Sequence, residues 1–535
     1  MSDKKKIYSV IFSLIQRIKN NKKGISDLLI YIVFSVFMVL AIGNKENLYV
    51  DEVYSYGLAN HTEGSMMFVE EGYTYYPSST PWMNYMTVDS ENRFDYRTVW
   101  ANQKADVHPP LYYVILHTIC SFFPESFTIW FAGMINILSA LGTLFFLRKT
   151  VLVLTGDVRI QKLISLAFVC SAGILSAATF LRMYMLAMLW VTALTCLMVM
   201  QTGTYSKKKF YLMLFSCTIG GALTHYYCIV FAVFISIVYG CILVRQKCWK
   251  GAGFFCLVQG TAAVVSVVVF PSMITHMFSS GRGQESANNL IGSSLSAGLS
   301  RIKWFFEILD EELFGGILIY LFFVMLAILI VCGCCHRCSS LTEEKKVTVE
   351  RYLIITIPVI LYFLLVSKIA VFVTDRYMYP VYAVLFLGVS CALGSWMKSR
   401  SRQYYIYILA VVVSVMTVNG WKSMEWEYLY KPSAAFLDTA SSYAEVDCIY
   451  VYDKPWKTNP AYYEVSNYHS VTFFTIEHLA MLSDSESSSR YRLLVAVTGD
   501  DEVILNRIMD LCPELNTYEY LGGYGYSNTY YLYGT

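Results

Sequence analysis

Long apolar runs separated by short polar connections make up most of this chain as far as residue 421. Most of the runs approach the ~20 apolar residues that an α-helix needs to cross the hydrocarbon core of a bilayer. We therefore expect a multi-spanning α-helical membrane protein with about 11 spans. The predicted spans lie near residues 25–43, 127–147, 160–180, 183–201, 209–225, 228–244, 252–270, 313–333, 352–372, 377–396 and 404–421.

From residue 422 onwards the pattern is that of a water-soluble fold. The stretches Cys448–Tyr452, Val471–Ile476 and Leu493–Val497 have the length and the β-branched or aromatic content of strands. Helical patterns lie between them, and alternating strands and helices are typical of α/β folds. We therefore predict a small C-terminal α/β domain over residues 422–535.

Composition supports a membrane protein and argues against two kinds of partner. The chain is 56% hydrophobic and only 15% charged, whereas soluble domains contain roughly 25% charged residues. A net charge of +2 without an arginine-rich face gives no reason to expect a nucleic-acid partner. The chain has no glycine-rich phosphate loop followed by Lys-Ser or Lys-Thr, so we expect no nucleotide cofactor.

The distribution of basic residues predicts the orientation of the chain in the membrane. Cytoplasmic loops contain an excess of Lys and Arg, which places the basic N-terminal segment 1–24 inside the cell. The same rule places the basic junctions inside at residues 148–162, 207–209, 245–250, 337–351 and 398–402.

This orientation requires that the short helix predicted at residues 109–123 does not cross the membrane. Its length is below that of a span, so we expect a juxtamembrane or re-entrant helix. The protein is then a multi-pass protein of the cell membrane, with its transmembrane part at residues 25–421. The long loop 44–108, the loop 271–300 and the C-terminal domain would all lie outside the cell.

Unusual polar residues occur at the predicted outer ends of the spans. Asp51 and Glu52 follow the first span, where an ionised pair is costly and needs a reason. The pair is either a solvated acidic helix end, or a general base or metal ligand. The remaining members of the set are Asp106, His108, Arg182, Tyr184, His225, Asp375, Arg376 and Tyr377.

Each member of this set also has an ordinary structural explanation. A single His on a span is usually a core residue, and an Arg at a helix end usually extends to the lipid head groups. Together the residues predict an enclosed site with carboxylates for base or metal chemistry and arginines for an anionic group. The planar fork of Arg suits phosphate because it donates two hydrogen bonds at once.

Two stretches of the sequence resemble a known family. The pair Asp51-Glu52 after the first span, and the sequence HPPLYY at residues 108–113 after a long loop, are similar to the GT-C superfamily of membrane glycosyltransferases. The nearest branch contains protein O-mannosyltransferases and lipid A aminoarabinose transferases. The resemblance covers roughly residues 25–400, without the C-terminal domain. Weaker similarities occur at residues 182–184, 224–226 and 375–377.

The resemblance implies a polyprenyl-phosphate sugar donor, used on the outer face, and an inverting transfer to a hydroxyl of a glycan, lipid or protein. Asp51 would activate the acceptor hydroxyl, and Glu52 belongs to the same predicted catalytic group. A second carboxylate could come from Glu70, Glu71 or Asp106. We favour Asp106 because it lies two residues before His108 at the same helix start.

The resemblance also implies a phosphate site and leaves the need for metal open. The residues predicted to bind the donor phosphate are Arg182, Tyr184, Arg376 and Tyr377. A divalent metal cation is a candidate cofactor, since some relatives use one and others lack it. Its predicted ligands are Glu52, His225 and His108.

Two other classes of protein were weighed against a transferase. A flippase for lipid-linked glycans, or a polymer transporter, needs polar residues at mid-depth through its bundle. The predicted spans are apolar between their ends, and the polar groups lie at one end, which favours a transferase. A receptor whose outer domain binds glycan would leave the polar set unexplained.

Overall fold

The structure is a computed structural model that describes residues 24–77, 80–201, 207–292, 294–321, 343–400, 403–484, 491–497, 500–524 and 526–534. Helices dominate it as far as residue 423, and the sheet follows. The α-helices are α1 (Gly24–Gly43), α2 (Val50–Asn60), α3 (Pro81–Met86), α4 (Tyr96–Ala105), α5 (Leu111–Ser121), α6 (Trp130–Thr155), α7 (Val158–Val169), α8 (Ala172–Thr179), α9 (Tyr184–Met200), α10 (Lys207–Ala222), α11 (Tyr226–Arg245), α12 (Trp249–Val269), α13 (Ser272–Phe278), α14 (Gly281–Gly292), α15 (Leu295–Phe314), α16 (Glu343–Ile369), α17 (Tyr379–Arg400), α18 (Tyr405–Ser423), α19 (Pro432–Ser441), α20 (Tyr462–Val465) and α21 (Asp501–Leu511).

The multi-spanning helical architecture predicted from the apolar runs is confirmed. Seven of the described helices are long and apolar enough to cross a membrane, and α7 with α8 would form an eighth span bent by 48°. The predicted runs at 183–201 and 209–225 form helices of only 17 and 16 residues. Most of the run at 313–333 lies outside the described residues. The seven long helices are α1, α6, α11, α12, α16, α17 and α18.

The helix after the first loop is too short to cross a bilayer. Helix α5 has 11 residues, which at 1.5 Å per residue is about 16 Å, half of a ~30 Å hydrocarbon core. The basic junctions predict an orientation in which α5 does not span the membrane. The length of α5 agrees with that prediction.

Helix α9 is almost completely enclosed in the bundle. It packs against α6, α10 and α17, and most of its residues from Tyr184 to Val199 are buried. A helix enclosed in this way has little freedom to move, because protein interiors are close-packed. The residues just before its first turn, among them Arg182, are therefore held firmly in place.

The C-terminal part contains the predicted α/β sheet, with one unexpected strand. The six strands follow the order β1-β3-β2-β4-β6-β5; β2 pairs parallel with β3 and β4, and the remaining pairs are antiparallel. Strand β1 comes from the loop between α2 and α3 and pairs Thr74 with Thr472. The strands are β1 (Thr74–Tyr75), β2 (Asp447–Tyr452), β3 (Ser470–Thr475), β4 (Tyr491–Val497), β5 (Thr517–Tyr524) and β6 (Ser527–Tyr533).

The first loop and the C-terminal part share a hydrophobic core. The side chain of Trp82 is fully buried, and its Nε1 donates to the carbonyls of Thr458 and Asn459 at 3.2 and 3.1 Å. Its ring lies 5.6 Å from that of Phe473 on β3. The other face of the sheet is covered by α21, through residues such as Ile508. Residues 422–535 therefore build their sheet together with the first loop.

Candidate active site

Helix α2 positions the acidic pair. It begins seven residues after α1 ends, and the backbone N–H of Tyr49 donates to the Glu52 carboxylate at 2.6 Å, which closes the first turn. Successive residues of an α-helix point about 100° apart. Asp51 and Glu52 consequently face different surroundings, although they are adjacent in the sequence.

Glu52 is completely buried and holds parts of the fold together. Its side chain forms an ion pair with Lys45 at 2.9 Å and accepts a hydrogen bond of 2.7 Å from the backbone N–H of Leu181. Burial raises the pKa of the Glu52 carboxyl, while Lys45 and the two backbone amides oppose that shift. Both oxygens are already bonded within the protein. We therefore interpret Glu52 as a positioning residue that fixes the segment leading to Arg182.

Asp51 contacts two guanidinium groups, one through its side chain and one through its backbone. Its carboxylate forms an ion pair with Arg376, and Arg182 Nη1 donates to its backbone carbonyl at 2.5 Å. Burial by itself would raise the pKa of the Asp51 carboxyl, but Arg182 and Arg376 outweigh it and hold the pKa below its usual value. Asp51 is therefore an ionised carboxylate with 28% of its side chain accessible.

Asp106 and His108 extend this arrangement beyond Arg182. His108 Nδ1 lies 2.6 Å from Asp106 Oδ2, and His108 Nε2 lies 3.3 Å from Arg182 Nη2. Because Arg can only donate, Nε2 is assigned as the acceptor, and the proton of a neutral imidazole is then on Nδ1, facing Asp106. Burial opposes ionisation of Asp106, but His108 lowers the pKa of its carboxyl below the usual value. About a quarter of each side chain is accessible.

Aromatic rings surround the guanidinium of Arg376. Its Cζ lies 5.7 Å from the ring centroids of Tyr49 and Tyr377, and 5.9 Å from those of Phe180 and Phe372. Cation–π attraction of this kind is stronger when the cation is shielded from water, and Arg376 is only 6% exposed. The rings therefore keep the positive charge in place without neutralising it.

Both guanidinium groups have unused hydrogen-bonding capacity. Arg182 is 2% exposed, and within the described ranges neither its Nε nor that of Arg376 has a hydrogen-bond partner. Buried polar atoms are normally bonded, so an orphaned donor calls for an explanation. An anionic ligand between the two side chains would satisfy both donors.

The remaining predicted residues, His225 and Tyr184, lie beside each other and close to His108. The ring of His225 is 5.2 Å from that of Tyr184 and 6.4 Å from that of His108. His225 begins α11, where its Nδ1 accepts from the N–H of Tyr227. Burial, and then His108, Arg182 and Arg376, lower the pKa of the His225 imidazole well below its usual value, so the ring is neutral.

The residues do not fit the predicted metal set. In the described part of the chain, no group of three or more His, Cys, Asp or Glu side chains is arranged to hold a metal ion. Of the predicted ligands, Glu52 is bonded to Lys45 and backbone amides. His108 is bonded to Asp106 and Arg182. Two guanidiniums, those of Arg182 and Arg376, already supply positive charge at this position.

The structure gives different surroundings to Glu71 and Asp106, two of the three carboxylates considered for the second acidic role. Glu71 accepts from the backbone N–H and the hydroxyl of Thr475 at the edge of the sheet. Asp106 is the one that reaches His108 and contributes to the electrostatic environment of Asp51. Lys45 and the rings of Tyr49 and Phe180 were not predicted; the only signal for any of them in the sequence is a lysine seven residues before Glu52.

Comparison with known proteins identifies the fold. No protein-family model matches the sequence, and no curated protein matches it. Among solved structures, the chain is similar to ArnT from Cupriavidus metallidurans bound to undecaprenyl phosphate, with a TM-score of 0.54, 11% identity, and coverage of 94% of this chain and 97% of that one. ArnT in the apo state gives a TM-score of 0.53 and 12% identity. The oligosaccharyltransferase AglB from Archaeoglobus fulgidus gives 0.44 and 10%, over 94% of this chain and 74% of that one.

The likeness to ArnT extends beyond the range that the sequence resemblance covers. A match over 94% of the chain includes more than residues 25–400, so the fold similarity continues into the C-terminal part. The fold predicted from the acidic pair and the HPPLYY stretch is thereby confirmed. The chain has the GT-C fold, in the form seen in ArnT.

Proposed function

We propose that this chain is a membrane glycosyltransferase that takes a sugar from a polyprenyl-phosphate carrier and attaches it to an acceptor hydroxyl at the outer face of the cell membrane. One observation supports this above all others. Two buried guanidiniums, Arg182 and Arg376, converge on Asp51, and each keeps an unbonded Nε.

The guanidiniums suit the leaving group of such a transfer. When the bond between the sugar and the phosphate breaks, negative charge develops on the lipid phosphate, and preorganised cations stabilise it most in a site shielded from water. Arg376 and Arg182 provide those cations, and Tyr377, whose ring lies 5.7 Å from the Arg376 guanidinium, contributes a hydroxyl to the same site. The ArnT structure with the same fold was solved with undecaprenyl phosphate bound, which agrees with a lipid phosphate as the ligand.

Asp51 suits the role of general base. It is ionised and partly accessible, so it can accept the proton of an acceptor hydroxyl while that oxygen attacks the anomeric carbon. A single displacement of this kind inverts the anomeric configuration. A phosphate that binds Arg376 competes with Asp51 for the same cation, which raises the pKa of the Asp51 carboxyl and makes it a better base. Donor binding would thus prepare the base for reaction.

The other polar residues would hold the reacting groups in position. Asp106 orients His108, and His108 accepts from Arg182. Glu52 anchors Leu181, the residue before Arg182. These contacts restrict the guanidinium of Arg182 to one place, as preorganised catalysis requires.

The proposed side of the membrane follows from the distribution of charge along the helices. His225 begins α11 and Arg245 ends it, and 20 residues span about 30 Å. The reacting residues therefore lie about one membrane thickness from the basic junction at 245–250, which the positive-inside rule assigns to the cytoplasm.

The test is the fate of the lipid-linked sugar. The purified protein is reconstituted in vesicles with polyprenyl-phosphate sugars, and the cleavage of the sugar–phosphate bond is followed in the presence of cell-envelope acceptors. A transferase consumes one donor and releases polyprenyl phosphate. A flippase would move the lipid-linked sugar between leaflets and leave that bond intact, which would contradict the proposal. Lipid analysis of a deletion strain would name the donor by its accumulation.

A further inference from the structure

A set of partly exposed aromatic rings extends from the extramembrane sheet to the reacting residues. We propose that this aromatic wall, made of Tyr49, Tyr430, Trp456 and Tyr526, is the acceptor subsite and that the acceptor is a glycan. The inference rests on the proposed transferase function and adds the chemical class of its acceptor.

The inner end of the wall is attached to the reacting groups. Tyr49 directly precedes α2 and lies 5.7 Å from the guanidinium of Arg376. Its ring stacks with that of Tyr430, with centroids 6.3 Å apart and planes 27° from parallel. An acceptor bound against these two rings would have its hydroxyls next to Asp51, the ion-pair partner of Arg376.

The outer end of the wall belongs to the sheet. Tyr526 lies in the turn of the β5–β6 hairpin and is 48% exposed. Its ring meets that of Trp456 edge to face at 5.2 Å. Trp456 lies in the 3₁₀ helix Pro455–Ala461, which packs against α2.

The two ends lie on neighbouring elements. Trp456, whose ring meets that of Tyr526, belongs to the 3₁₀ helix that packs against α2. Tyr49 is the residue directly before α2, and its ring stacks with that of Tyr430. The hairpin turn and the rings beside Arg376 are therefore linked through α2 and this 3₁₀ helix.

Partly exposed aromatic rings in this position suit carbohydrate. Leaving an aromatic ring exposed costs roughly 25 cal/mol for each Å² of apolar surface that stays in water. Several exposed rings beside a reaction site therefore indicate a surface that binds a ligand. A sugar ring buries its apolar C–H face on an aromatic face, while tyrosine hydroxyls bond its own hydroxyls. The wall leads to the sheet and away from the apolar helices, which favours a glycan over a lipid acceptor.

The experiment measures binding and transfer with defined sugars. Linear pentasaccharides of glucose, mannose and galactose are presented to the full-length protein in nanodiscs, with and without the polyprenyl-phosphate donor. We expect at least one of them to bind and to accept sugar. Trp456→Ala and Tyr526→Ala should each raise the KM for that acceptor by about tenfold, more than any change in the KM for the donor lipid.

Matched variants keep the result interpretable. Tyr520→Ala removes a 57% exposed tyrosine from the same hairpin and should change neither constant. Trp456→Phe and Tyr526→Phe keep a ring and should show smaller effects than the alanine variants. Two outcomes would overturn the glycan assignment alone. One is an unchanged KM for the acceptor in all wall variants. The other is a wild-type protein that transfers sugar to a serine-containing peptide and binds no pentasaccharide. A wild type that cleaves no donor with any acceptor would overturn the proposed function and this inference together.

Discussion

Arg376 pairs with Asp51 across 325 residues of sequence. The arginine keeps 8% of its side chain accessible and the aspartate keeps 28%, so the cation lies behind the carboxylate as seen from the solvent. The pair links the start of α2 to the segment before α17. Its two members are also the groups that the proposed reaction needs most, a base and a cation for the leaving phosphate.

Removing the charge of Asp51 should abolish most of the transfer. Asp51→Asn keeps the side-chain volume and loses the proton acceptor, so we expect kcat to fall by about 10²-fold or more. Donor-lipid binding should persist, because both guanidiniums remain. The measurement is steady-state transfer in vesicles, with Asp510→Asn on the exposed side of α21 as the control. If Asp51→Asn kept activity within a few-fold of the wild type, Asp51 would not be the general base.

Changing the shape of the Arg376 cation should weaken use of the donor. Arg376→Lys keeps the charge but loses the planar fork that bonds two phosphate oxygens, so we expect the KM for the donor lipid to rise about tenfold. Arg159→Lys, at a position whose side chain is 68% exposed, is the control. A donor KM equal to that of the wild type would mean that Arg376 does not contact the phosphate.

Breaking the buried pair of Lys45 and Glu52 should destabilise the protein. Lys45→Met leaves the carboxylate of Glu52 unpaired where it is 0% exposed, and such losses cost about 3–5 kcal/mol. The free energy of unfolding in detergent is the measurement, and adding Glu52→Gln should recover part of the loss. Lys431→Met, whose pairing with Glu46 is exposed, should cost under ~1 kcal/mol. Equal losses for the two lysine variants would contradict the structural role of Glu52.

The extramembrane sheet should lose stability as the pH rises towards neutral. Glu464 is fully buried among the hydroxyls of Tyr468, Ser527 and Thr529, and burial raises the pKa of its carboxyl to about 7. The folded state therefore binds the proton more tightly than the unfolded one, and stability falls between about pH 4.5 and pH 7. The total change is about 3 kcal/mol.

The measurement is thermal unfolding at pH 5 and pH 8. Glu464→Gln should remove most of the difference between the two pH values, whereas Glu477→Gln, at an exposed position, should keep it. A pH dependence that survives in Glu464→Gln would assign the titration to another group.

Cysteine accessibility should establish the orientation. Glu63→Cys and Glu514→Cys, both at exposed positions of the loop and sheet, should react with an impermeant maleimide in intact cells. Lys208→Cys should react only after permeabilisation, because its junction is basic. Reaction is compared with the parent protein, which has exposed cysteines of its own at positions 241, 248 and 256. Labelling of Lys208→Cys in intact cells would mean that the chain has the opposite orientation in the membrane.

The sequence was enough to predict what depends on local pattern. Apolar runs predict helices because a helix in lipid must be apolar along its length, and the described runs are helical. The strands at 448–452 and 471–476 follow in the same way from β-branched and aromatic content. The GT-C fold came from the resemblance at Asp51-Glu52 and residues 108–113, and the roles of individual site residues remain predictions.

Long-range partners could not be predicted. Nothing in the sequence near Glu52 shows that Lys45 would be buried against it, so the prediction of Glu52 as a metal ligand could not take this ion pair into account. The join between the first loop and the sheet was missed for a related reason: a strand of two residues, Thr74–Tyr75, has too little pattern to be recognised. Its partner is identified only when the chain is folded.

The pairing of β1 with β3 sets an order for biosynthesis. Thr74 is synthesised early and bonds to Thr472, which follows 398 residues later. The segment that contains α3 and α4 must therefore wait until Thr458, Asn459 and β3 have been synthesised before Trp82 can be buried against them. A chain that stops before residue 422 would have all the proposed reacting side chains but no support for the loop beside them. Assembly of the first loop is thus delayed until residues 458–473 have been synthesised.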